Sequence, residues 1–343
     1  MKKSKTFFAC AMLVTLASCS NDHVLSQQSP TPSDPDVINI VAASSKPVTR
    51  AVENATNLQD TQFAAGEKIN VYLSENLDGA QTSVINYTQP MVYTVSSTPD
   101  SGTDVQLDPP SDEKPKFPSN NHGVDAYALY PTDVVKTETS QTFSVQLDQS
   151  DYTNYRKSDM MFGTNSLDLN GDVIPSFKGT KKGNNVQLYF KHQLSKIIVK
   201  MNTASFDADF LNDATIKLYG AKKACTYKAG KDGITDITAT TDLGASESYN
   251  LGTYNAAGNS GIIVPQTINK DTKFIEITTS GDEPKTYVYK IADESGMQFD
   301  GGNQYTYTIS LSGGNLVVVS VKIEDWNKVE KTGTADLEPS AGS

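Results

Sequence analysis

Tyr305-Thr306-Tyr307-Thr308-Ile309-Ser310-Leu311, then Gly313-Gly314-Asn315, then Val319-Ser320-Val321-Lys322-Ile323-Glu324, is a hairpin written in alternating residues. Large apolar groups recur at every second position on both arms, and a Gly-Gly-Asn turn signal stands between them. Each arm therefore reads as a half-buried strand, with Val319, Val321 and Ile323 on one face and Ser320, Lys322 and Glu324 on the other. The same period recurs upstream at Ile69, Val71 and Leu73; at Phe143, Val145 and Leu147; at Val186, Leu188 and Phe190; and at Tyr287, Tyr289 and Ile291. Turn signals punctuate these runs at Asn170-Gly171, Lys182-Gly183-Asn184 and Ser280-Gly281-Asp282. The best helical candidate, Ser205 to Asn212, is short. The pattern predicts an all-β chain of antiparallel sandwiches and not a parallel α/β sheet.

At 343 residues the chain has the length of two domains. A composition of 37% hydrophobic and 20% charged residues is that of a folded chain. The formal charge is −11 and no Lys/Arg run follows the first few residues, so no cationic face is available for the phosphates of nucleic acid. With 3 Cys and 3 His, and neither Cys-x-x-Cys nor His-x-x-x-His spacing, neither a metal site nor a cofactor is expected.

Lys2, Lys3 and Lys5 precede an apolar stretch from Phe7 to Leu16, which is the pattern of a secretory signal and too short to span a bilayer of ~30 Å. It ends in Leu16-Ala17-Ser18-Cys19, which resembles a bacterial lipobox, in which the Cys thiol receives a diacylglyceryl group. Residues 1–18 are then a lipoprotein signal peptide and Cys19 the lipidated first mature residue; an ordinary secretory signal that happens to end in Cys is the alternative. Removing them takes away three Lys and no acid, leaving 26 basic and 40 acidic residues and a formal −14. The mature chain keeps Cys19 and Cys225, too few for an internal disulfide once Cys19 is acylated, and Cys225 reads as a small buried hydrophobe.

No local constellation suggests an enzyme. Asp168-Leu169-Asn170-Gly171-Asp172 imitates the start of a calcium loop, but Val173 stands where its Gly belongs and Gly179 where its Glu belongs, so a hairpin turn on Asn170-Gly171 is expected. His192 lies between two strands and reads as a hydrogen-bonded structural residue. The tyrosines sit at strand spacing, which favours packing over the stacking of sugars.

Residues 19–36, with Pro30, Pro32 and Pro35 and almost no large apolar group, read as a flexible tether. A domain of about 37–180 follows, then one of about 185–330, with the boundary in the Gly/Lys-rich stretch 177–184 and a polar tail at 331–343. The Pro-rich stretch 99–118 reads as a loop insertion. Val37-Ile38-Asn39-Ile40-Val41-Ala42 looks like a first strand, followed by a polar loop that holds Arg50, one of only two Arg in the chain, before Ala51. An exposed loop is where a protease reaches extended backbone.

Several segments carry a family resemblance. Ser158-Asp159-Met160-Met161-Phe162-Gly163, the run from Val186 through Phe190-Lys191-His192-Gln193-Leu194-Ser195-Lys196-Ile197, Phe299-Asp300-Gly301-Gly302-Asn303, and Ile323-Glu324-Asp325-Trp326 resemble fimbrillins, the subunits of type V pili. The resemblance implies two tandem transthyretin-like β-sandwich domains with Greek-key-type sheets and no catalytic role. It also implies a lipoprotein of the outer membrane, cut by an Arg-specific protease between Arg50 and Ala51. That cut would release the first strand, with Val37, Ile38, Ile40 and Val41. Other fimbrial subunits would then be partners by strand exchange in a surface fimbria supporting adhesion. A stalk subunit donates a C-terminal segment, whereas here the residues after Trp326 are polar, which suits a tip or accessory position. The competing class is a surface lipoprotein that binds glycan on exposed aromatic rings.

Overall fold

The structure is a computed structural model and describes residues 35–43, 63–77, 80–84, 89–96, 104–110, 114–168, 172–206, 211–281, 283–312 and 315–326. The first half runs β1 (Ile40–Ala42), β2 (Lys68–Leu77), β3 (Ala80–Val84), β4 (Met91–Val95), β5 (Val105–Asp108), β6 (Gly123–Tyr130), β7 (Thr137–Ser144), α1 (Tyr152–Ser158), β8 (Met161–Thr164) and β9 (Val186–His192). The second runs β10 (Ser195–Met201), β11 (Thr215–Leu218), β12 (Ala224–Gly230), β13 (Gly233–Thr241), β14 (Tyr249–Thr253), β15 (Asn259–Ile263), β16 (Gln266–Ile268), β17 (Lys273–Thr278), β18 (Thr286–Lys290), β19 (Met297–Phe299), β20 (Asn303–Ser312) and β21 (Asn315–Asp325).

Strands β2, β4, β5, β1, β9, β8 and β6 hydrogen-bond in that order, and β6 returns to β2, so the sheet closes into a barrel with β3 attached to β2. Alternation decides what fills it. Ile69, Val71 and Leu73 of β2 point inward with Tyr93, Leu107, Val186 and Leu188. On the outer face, Tyr72 stacks on Tyr127 with ring centroids 4.6 Å apart, and both join a second and larger core.

That second core lies between the sheets β15-β10-β20-β21 and β14-β11-β17-β18. Ile197, Val199, Tyr305 and Tyr307 pack there with Ile216, Leu218, Ile275 and Ile277. The pairing of the two bodies matches. In the first, β1 is antiparallel to β5 and parallel to β9; in the second, β10 is antiparallel to β15 and parallel to β20.

Several features were not legible in advance. Strand β9, which opens the residues assigned to the second domain, pairs with β1 and β8 in the barrel. The 177–184 stretch runs against β6: Val124 and Thr180 exchange backbone hydrogen bonds of 2.9 and 2.8 Å. A Cβ on Gly123 would stand 2.3 Å from the Lys178 carbonyl oxygen, so this contact requires glycine. Strand β7 crosses to the second body and pairs with β12. Helix α1 was not expected; the Asp151 side chain caps it by accepting from the Asn154 amide at 3.0 Å. Of the short helical candidate Ser205 to Asn212, Ser205 ends a 3₁₀ turn, Thr203–Ser205, and residues 207–210 lie outside the described residues. Val319, Val321 and Ile323 are exposed, on the strand that ends its sheet among the described strands.

Candidate functional site

Strand β1 is the shortest element of the barrel and one of its most enclosed. Ile40, Val41 and Ala42 pair with Leu107, Gln106 and Val105 of β5 on one side, and with Val186, Gln187 and Leu188 of β9 on the other. Backbone bonds continue past its ends: the Ile38 amide donates to the Pro115 carbonyl at 2.8 Å, and the Ala43 amide to the Leu188 carbonyl at 2.8 Å. Ile38, Ile40 and Ala42 belong to the barrel core, Val41 is buried on the opposite face, and Val37 is half-buried in an isolated bridge to Lys116. Taking β1 away would leave β5 and β9 as facing edges over a groove lined by Val105, Leu107, Val186 and Leu188. Of the sequence-derived site residues, Val37, Ile38, Ile40 and Val41 thus come together here, while Cys19, Arg50 and Ala51 lie outside the described residues.

The chain re-enters the described fold at Phe63, and a buried charge cluster holds it there. The guanidinium of Arg156 donates from Nε to Glu67 Oε1 at 2.9 Å, from Nη2 to Glu67 Oε2 at 3.2 Å and from Nη1 to Asp159 Oδ2 at 3.3 Å. It also lies over the rings of Phe63 and Tyr130, and the Tyr130 hydroxyl donates to Glu67 Oε1 at 2.9 Å. Burial works against the charge on Arg156, but Tyr130, Glu67 and Asp159 outweigh it and hold the guanidinium protonated. Burial likewise pushes Asp159 up, and His192, Arg156 and Lys196 together bring it below the usual carboxylate range.

Asp159 connects this cluster to the second body. Its Oδ1 is 2.8 Å from His192 Nδ1, and the His192 ring stacks flat on Trp326 with centroids 3.7 Å apart. The Lys196 ammonium sits over the Trp326 ring at 5.2 Å. The Trp326 amide donates to the Gly302 carbonyl, and the Gly302 amide to the Leu194 carbonyl. A Cβ on Gly301 would lie 2.4 Å from the Gln193 carbonyl oxygen, so backbone meets backbone with no room for a side chain. His192 is the hydrogen-bonded structural residue the sequence suggested. Glu67, Phe63 and Tyr130 carried no sequence signal; the scarcity of Arg was the one pointer to Arg156.

Nothing in this arrangement is aimed at an open cleft. Among the described residues no three His, Cys, Asp or Glu side chains converge as a metal site. The turn at Asp168 is pinned by the Asp172 amide donating to Asp168 Oδ1 at 3.0 Å, with Asn170-Gly171 outside the described residues.

A family model described as fimbrillin-like matches residues 49–326. No curated protein matches the chain. Among solved structures, the chain is similar to a Bacteroides uniformis protein assigned to cell adhesion, with a TM-score of 0.57 and 23% identity over 86% of this chain and 99% of that one. It is also similar to a Bacteroides ovatus protein with the same assignment, with a TM-score of 0.56 and 16% identity over 84% of this chain and 97% of that one. At such identities the likeness is one of fold. The family match takes in all four segments that meet around Asp159, His192, Gly301 and Trp326, and it covers most of the chain, which belongs to the fimbrillin-like family.

Proposed function

We infer that the chain is a structural subunit of a cell-surface fimbria, exported as an outer-membrane lipoprotein through Cys19. It is activated by an Arg-specific cut between Arg50 and Ala51, and assembled by exchange of β1 for a strand of another subunit, in a stalk or tip position. The observation that carries this reading is the placement of β1: a short strand enclosed on both sides, joined to the rest of the fold through the segment that contains Arg50. The matched pairing of β1 and β10 supports tandem transthyretin-like domains, with the chain passing from one to the other at Gln193–Leu194. The family match, which begins at residue 49, leaves β1 outside, as a removable strand would be. Arg156, the other Arg, is 2% exposed, which supports Arg50 as the site a protease reaches.

While the chain is uncut, β1 is held covalently as well as by its ladder. Ile38, Ile40 and Val41 are each at most 2% exposed, so their withdrawal forfeits about 5–9 kcal/mol, which a donor strand of similar pattern restores. The glycan-binding alternative needs exposed rings, and the exposed large hydrophobic residues among those described are all Val or Ile. A cleft of about 400 Å³ beside β14 is lined by Ser150, Asn250 and Asn259, and both Asn amides are engaged within the chain. Treatment with an Arg-specific protease tests the reading. Wild type should lose residues up to Arg50 in one step and, with partner subunits, shift to high mass; Arg50→Ala should do neither. Polymer formation by uncut Arg50→Ala at the wild-type rate would sink it.

A further inference from the structure

Most of the exposed large hydrophobic side chains among the described residues lie on two strands. Val288 lies on β18, and Val317, Val319, Val321 and Ile323 lie on β21. Among the described strands, these two end the second body's two sheets. The corresponding seam of the barrel is sealed by pairing of β6 with β8, whereas among the described strands β18 pairs with β17 and β21 with β20. Strand β21 therefore presents 11 residues of ladder with no strand on its outer side among those described. Long apolar edges of this kind are normally blunted by charge, Pro or a bulge; here Lys322 and Glu324 pair with each other near one end, the middle, Val317 to Val321, has no charge, and the one blunting device along it is a bulge at Val319, which a second copy can match.

The register of β21 limits what fits against it. A bulge makes Val319 an extra residue, so that Leu316, Val318, Val321 and Ile323 lie opposite Leu311, Ile309, Tyr307 and Tyr305 and share the core face. Asn315, Val317, Ser320, Lys322 and Glu324 take the other face. A regular alternating strand laid along β21 would match one end and present the wrong face at the other. A second β21 has the same break in parity. Run antiparallel with Val319 opposite Ser320 of the second copy, it sets Leu316 against Ile323 and Val318 against Val321, and twofold symmetry repeats each pair. Val317 then meets the stem of Lys322, and the new apolar contacts close over Tyr287 and Tyr289 of β18, which are half-buried in one copy.

We propose that β21 is a self-complementary docking strand through which two copies of this chain pair edge to edge, joining their two β15-β10-β20-β21 sheets into one. The contact is isologous, as a twofold dimer requires. It involves neither Arg50 nor β1, so it stands or falls separately from the fimbrial reading.

Sedimentation velocity on uncut residues 20–343 tests it. Wild type should pass from monomer to dimer over about a hundredfold rise in concentration. Val321→Lys, which puts a charge on the core face of the edge, should stay monomeric across that range. If that variant fails to fold, cysteine cross-linking decides. The double variant Val317→Cys/Lys322→Cys should oxidise to a covalent dimer, while either single variant should not, because each position faces the other one. A wild type that stays monomeric, dimers that persist in Val321→Lys, or equal cross-linking by the single variants would overturn the proposal. So would dimerisation seen only after removal of residues 327–343, since the chain's own tail would then be the occupant.

Discussion

Ile40→Ala probes the removable-strand account where the geometry is tightest. Ile40 is fully buried at the start of β1, opposite Leu107 on β5 and Val186 on β9. Neither neighbouring strand can move inward to fill the space, because both are fixed by their own ladders. An Ile-to-Ala truncation of this kind costs about 2–4 kcal/mol, the transfer of the lost methyls plus the cavity they leave. In the uncut chain that loss should appear in full in urea unfolding followed by a probe of the barrel. After the cut at Arg50 the same loss acts on the hold of the fragment, and its release equilibrium should shift by roughly thirtyfold to a thousandfold. The assay is gel filtration of the protease-treated protein, with the N-terminal fragment followed by mass spectrometry over time. Wild type should retain the fragment until a donor is supplied, whereas Ile40→Ala should shed it unaided. Val173→Ala, at a site that is 71% exposed, is the control and should change neither reading. If Ile40→Ala unfolds at the wild-type urea concentration and keeps its fragment as long, β1 does not occupy the barrel as described.

Gly301→Ala should destabilise by about 1–3 kcal/mol in denaturant titration, because its Cβ would meet the Gln193 carbonyl oxygen at 2.4 Å; an unchanged midpoint would contradict the backbone contact. Arg156→Met should cost about 3–5 kcal/mol, since it leaves the Glu67 and Asp159 carboxylates buried without their guanidinium, and a neutral result would refute the buried pairing. Burial pushes the Cys225 thiol up to about 12, so thiol labelling at pH 8 should proceed at the rate of unfolding and not at the rate of an exposed thiol. Rapid labelling of the folded chain would place Cys225 outside the core.

Period-two alternation was enough to find β2, β9, β18, β20 and β21, because in each the large apolar residues recur at every second position, even in β2, whose other face also buries Asn70 and Tyr72. It could not find β10, whose Ser195–Val199 stretch is buried on both faces and therefore shows no alternation. It also misread β21: alternation reports which side chains share a face, not whether a second sheet covers that face, and a bulge is invisible to it. The charge cluster was beyond reach for a different reason. Glu67 and Arg156 are 89 residues apart and Asp159 and His192 are 33 apart, so only the fold brings them together. The segments that carried the family resemblance did converge. Asp159, His192, Gly301 and Trp326 are where the two bodies are locked to one another, which gives that resemblance a physical cause in packing.

The most direct test of the central claim is the N-terminal sequence of this protein in filaments sheared from the cell surface. The sequence should begin at Ala51, with β1 absent from the assembled subunit. Filaments whose subunits begin at or near residue 19, with Val37–Ala42 still attached, would contradict it.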